Sequence, residues 1–179
     1  MDNPYWVYAD GRDILTESTD NYLTFSYAFT IPTTETIMPD GGVLQSELDQ
    51  VSYAIPSGTF TNTVTVTHMA IFQDIPPTNR IPIGRAFEIT AVFSDTGQTA
   101  VLQKPISVTV PYNPSRVGHL IDGTMALYYW DGAAWQKSDT SIINPQTNII
   151  TATLPYQTIW QLQGETNRIY MPIMPYKQK

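Results

Sequence analysis

Apolar and polar residues alternate with a period of two in one short segment after another along this chain, and no segment of convincing length carries the helical period. A strand with one buried face has that repeat, because successive side chains point to opposite sides. Leu23, Phe25, Tyr27, Phe29 and Ile31 share one face, as do Val51, Tyr53 and Ile55 before Pro56-Ser57-Gly58 breaks the pattern. In Thr63-Val64-Thr65-Val66-Thr67 the valines should point inward and the threonines outward. Phe87, Ile89, Ala91 and Phe93 line the next strand, and Ile106, Val108 and Val110 another. Met125 to Trp130 runs into Asp131-Gly132-Ala133-Ala134 and out at Trp135, which predicts a tight hairpin with a Trp on each arm. Ile150, Ala152 and Leu154 follow a turn at 144–148, and Ile159, Trp160 and Leu162 form a last core strand that Gly164 should end. Short strands with turn residues between them predict an all-β fold, an antiparallel β-sandwich of immunoglobulin-like kind. One sandwich, or two small ones joined near residues 111–124, would both fit.

The ends stand apart from this body. Residues 1–36 read as an aromatic-rich N-terminal arm or donor strand, 37–164 as the sandwich and 165–179 as a tail, in which Ile169, Met171 and Ile173 are the apolar positions between prolines. An extended apolar arm needs a groove or an unpaired sheet edge. Leu23, Phe25, Tyr27, Phe29 and Ile31, with Ile169, Met171 and Ile173, are therefore the expected contacts of strand addition between subunits.

Only 14% of the residues are charged, against roughly a quarter in typical soluble domains, so Thr, Ser, Asn and Gln must carry much of the surface. A net charge of −7 with only nine Lys and Arg, in no run, argues against a nucleic-acid partner. The absence of cysteine excludes disulfides, thiolate catalysis and Cys-bound metals. No apolar run is long enough for a membrane span. Nothing at Met1-Asp2-Asn3-Pro4-Tyr5-Trp6 resembles a signal peptide, so an extracellular or cell-surface protein is expected here in processed form.

The stretch Asp40-Gly41-Gly42-Val43-Leu44, then Val51 to Phe60 with Ile55-Pro56-Ser57-Gly58-Thr59, then Val64-Thr65-Val66-Thr67, resembles the ZU5 domain, a β-sandwich family. Thr59 stands where that family usually has alanine. Gly84 to Ala91, Lys104 to Val110 and Leu127 to Trp135 are similar to a module of large cell-surface proteins of filamentous green bacteria. Ile169-Tyr170-Met171-Pro172-Ile173 is similar to a Tyr-Leu-Pro-Leu type C-terminal segment on exported proteins of that group. The resemblance implies a surface module and no particular chemistry. Self-cleavage, known in some ZU5 proteins at His-Phe-Ser, is not implied, because His68-Met69-Ala70 lacks the hydroxyl.

No catalytic, cofactor or metal site is expected. His68 and His119 have no partner at metal-ligand spacing, and no nucleophile turn Gly-Xaa-Ser-Xaa-Gly occurs. Tyr128, Trp130 and Trp135 could form a platform for sugar rings, or could simply pack across a hairpin. The expected function is thus a non-enzymatic extracellular filament or surface-layer subunit whose partner is itself. The alternative is a carbohydrate-binding or adhesion module that contacts surface polysaccharide.

Overall fold

The computed structural model describes residues 32–71 and 80–166 in full and, before them, the backbone of three strands. Those three are β1 (Tyr5–Ala9), β2 (Arg12–Thr19) and β3 (Tyr22–Tyr27), an antiparallel meander in the order β1-β2-β3. Its register sets Leu23, Phe25 and Tyr27 opposite Ser18, Thr16 and Ile14.

The body follows as β4 (Thr33–Ile37), β5 (Gly42–Gln45), β6 (Ser52–Ile55), β7 (Val64–Ile71), β8 (Arg80–Pro82), β9 (Ala86–Phe93) and β10 (Ile106–Pro111). After a 3-10 turn at Pro114–Arg116 come β11 (Ala126–Trp130), β12 (Trp135–Lys137), β13 (Ile142–Asn144), β14 (Ile149–Leu154) and β15 (Ile159–Glu165). One sheet has the order β13-β14-β10-β6-β5; the other has the order β12-β11-β15-β9-β7-β4, with β8 also paired to β15. Every pairing is antiparallel. The all-β sandwich expected from the alternation is the fold observed. No helix among the described residues is long and apolar enough to cross a membrane.

Among the described residues, one apolar core lies between the two sheets. Leu44, Tyr53, Ile106, Val108, Ile150 and Leu154 enter it from the five-stranded sheet, and Ile37, Val64, Val66, Phe87, Leu127 and Trp160 from the other. Fully burying such a side chain stabilises the fold by roughly 1.5–3 kcal/mol before entropy is subtracted. Both sheets draw strands from either side of residues 111–124, so that segment is a connection within one sandwich.

Two turns show why particular residues are needed. Gly41 has φ +88°, and a Cβ there would lie 2.3 Å from the Ile55 carbonyl oxygen, because the turn after β4 packs against the end of β6. In the Pro56-Ser57-Gly58 turn, Thr59 is buried and its hydroxyl donates to Pro56 O at 2.8 Å. This hydroxyl holds the turn at the position where the resemblance leads one to expect alanine. Gly164 does not end the last strand as expected. It lies within β15, where a Cβ would come 2.9 Å from Leu120 Cδ1, so the missing side chain leaves room for Leu120.

Candidate functional site

Alternation along β7 turns His68 inward beside Val64 and Val66, and there it is 2% exposed. Its Nδ1 lies 2.6 Å from the Tyr53 hydroxyl on β6, and its Nε2 lies 3.0 Å from Asp49 Oδ2 in the loop before β6. An ionised carboxylate can only accept, so Nε2 carries a hydrogen toward Asp49, and the Tyr53 hydroxyl, which can donate or accept, meets Nδ1. The rings of Tyr53, His68 and Phe87 pack against one another with centroids 5.6–6.2 Å apart. The chain of hydrogen bonds joins one sheet to the other through the core.

Burial by itself would raise the Asp49 carboxyl pKa, but the hydrogen bond with His68, the nearby Ser46 hydroxyl, the charge of His68 and the Val51 amide outweigh it and hold the group below 3.8. Ser46 Oγ approaches without good hydrogen-bond geometry, for it is buried and has no partner that meets it. Tyr53 is pushed well above 10, first by burial and then by the negative charge of Asp49. Both nitrogens of His68 are thus held by partners from the other sheet and its β5–β6 loop. Among the described residues no three His, Cys, Asp or Glu side chains converge to hold a metal.

The second feature lies at one end of the sandwich, where the β11–β12 hairpin meets the β14–β15 loop. Tyr129, Trp130, Asp131, Gly132, Tyr156 and Thr158 line a cleft of about 560 Å³. That is within the roughly 300–1,000 Å³ of small-molecule sites. Tyr129 stacks at 5.2 Å both on Tyr156 and on the fully buried Trp160, so its ring is braced from the core. Thr158 donates to Trp130 O at 2.7 Å and ties the two walls together. Gln157 anchors the loop, donating to Ala100 O and accepting from the Ala91 amide. Asp131 is a turn residue: Oδ1 accepts from the Ala133 and Ala134 amides at 2.9 and 2.8 Å, and Oδ2 from Gln136 at 2.7 Å. The two amides, with Gln136, hold its carboxyl below the ordinary value.

Of the three aromatics expected to form a sugar platform, Trp130 alone lines this cleft. Tyr128 and Trp135 are buried in a small cluster with Ala126, where Arg80 lies 4.2 Å over the Tyr128 ring and Trp135 meets Trp130 edge-on at 5.7 Å. The cleft instead uses Tyr129, on the opposite face of the same strand, and Tyr156. An aromatic directly after Pro155 in a turn, where core packing gives it no role, is the sequence signal that could have marked Tyr156. Leu23, Phe25 and Tyr27 lie in β3, while Phe29, Ile31, Ile169, Met171 and Ile173 are outside the described residues. No family model matches the chain, and no curated protein matches it either.

Proposed function

We propose that the chain is a non-enzymatic structural subunit of the cell exterior, akin to the ZU5-like surface modules, that joins copies of itself by strand addition. That β3 is paired into neither sheet of the sandwich carries this reading. β3 holds the first half of the longest strict alternation in the sequence, yet it is an end strand of its own sheet. The described residues of both sandwich sheets bury a common core between Ile37 and Leu162, and β3 pairs with neither sheet. An end strand has one row of backbone donors and acceptors outside its sheet, which is the usual attachment point for another strand.

The sandwich also has edges that could receive a strand. β5 and β13 end the five-stranded sheet, and each carries an outward apolar residue, Val43 at 64% and Ile142 at 69% exposure. The low charge of the chain supports a structural role outside the cell.

Sedimentation velocity and negative-stain microscopy of the full chain test this reading. Concentration-dependent polymers are expected, and Phe25→Glu should abolish them while leaving the melting transition of the sandwich in place. A chain that stays monomeric at high concentration, or a Phe25→Glu variant that polymerises normally, overturns it.

A further inference from the structure

We infer that the cleft between the β11–β12 hairpin and the β14–β15 loop binds a neutral glycan, with Tyr156 and Tyr129 as the stacking surfaces and Trp130 at the rim. The lining limits which ligand chemistry the cleft can serve. An anion would need a cation, and neither Lys nor Arg lines the cleft. A metal ion would need several carboxylates, and Asp131 alone lines the cleft, its oxygens already accepting from the Ala133 and Ala134 amides and from Gln136. An extended peptide would need free main-chain groups on a strand. Tyr129 and Trp130 sit on β11, whose two sides are occupied by β12 and β15.

What remains is aromatic surface, phenolic hydroxyls and the Thr158 oxygen. A sugar ring matches that set, because its CH faces stack on aromatic rings while its hydroxyls exchange hydrogen bonds around the edge. Tyr156 is 53% exposed, tilted by 45° against Tyr129, so the pair opens as a notch toward solvent. Rigid surfaces bind at lower entropic cost, and this notch is held from behind by Trp160 and from the side by Gln157 and the Thr158 bond to Trp130. Gly132, with φ +100° and open space around it, leaves the rim free of a side chain. The cleft is built from different strands than β3, so glycan binding and polymerisation can be lost separately.

Isothermal titration of the full chain with neutral hexasaccharides of glucose, mannose and galactose, and with oligogalacturonate as the anionic control, tests the inference. At least one neutral hexasaccharide should bind, with a change in tryptophan fluorescence, and oligogalacturonate should bind more weakly. Tyr156→Ala, at an exposed position, should keep the melting temperature and weaken binding by about tenfold or more, the loss of one stacked aromatic, while Tyr156→Phe keeps most of the affinity. Four results overturn it: no neutral hexasaccharide binds, Tyr156→Ala binds as tightly as the parent, the anionic oligomer binds best, or Tyr156→Ala unfolds while Tyr156→Phe fails to bind.

Discussion

Tyr53, His68 and Asp49 are the residues whose chemistry depends most on being inside the sandwich. Removing the hydroxyl in Tyr53→Phe leaves His68 Nδ1 buried without a partner, which should cost about 1–3 kcal/mol at neutral pH, read from urea unfolding. The same variant should behave differently from the parent in alkali. The Tyr53 pKa is raised above 10 in the folded chain, so its contribution is whole below pH 10 and is lost as the unfolded phenol ionises above it. Tyr53→Phe should therefore flatten the alkaline decline of the melting temperature. Asp49 has the opposite sign. Its folded pKa lies below 3.8, so the carboxylate stabilises the fold above that pH and ceases to do so as the pH falls through the folded value. The gap in melting temperature between the parent and Asp49→Asn should be full at neutral pH and shrink below pH 3.8. Neither linkage was legible in the sequence, where residues 49, 53 and 68 have no motif spacing and His68 reads as an isolated histidine. Only the strand pairing brings them within hydrogen-bond reach.

At the scale of elements, legibility followed exposure. β7, β10 and β14 each bury one face, so Val64 and Val66, Ile106 and Val108, and Ile150 and Ala152 announced themselves by alternation. β15 is buried on both faces from Trp160 to Gly164, which erases the alternation and made Gly164 look like a stop. β4 is an edge strand of Thr and Glu that buries only Ile37, so its place rests on ladder pairing with β7 rather than on its side chains. The aromatic run of β11 was legible as a strand, but which of its rings would face a cleft depends on the distant β14–β15 loop. The turn between β4 and β5 yields a test at this scale. Gly41→Ala should destabilise the sandwich by more than about 1 kcal/mol, since a left-handed backbone disfavours a side chain by that amount and the Ile55 carbonyl blocks the space as well. Thermal unfolding measures it, and an unchanged transition would mean that the two turns do not pack as described.

For the whole molecule, the order of strands has a consequence in time. β15, the last strand of the body, sits in the interior of the larger sheet, with β11 along one side and β9 and β8 along the other. The smaller sheet likewise joins β6 to β10, segments that are far apart in sequence. Such non-local pairing closes long loops before it is rewarded, which places folding in the slow, millisecond-to-second range typical of sandwiches. A ribosome that has released everything up to residue 158 has therefore produced every strand of the smaller sheet but a larger sheet without its interior strand, and the shared core still lacks Trp160 and Leu162. The sandwich therefore cannot close during synthesis until the last strand joins β11 to β9 and brings the two parts of the larger sheet together.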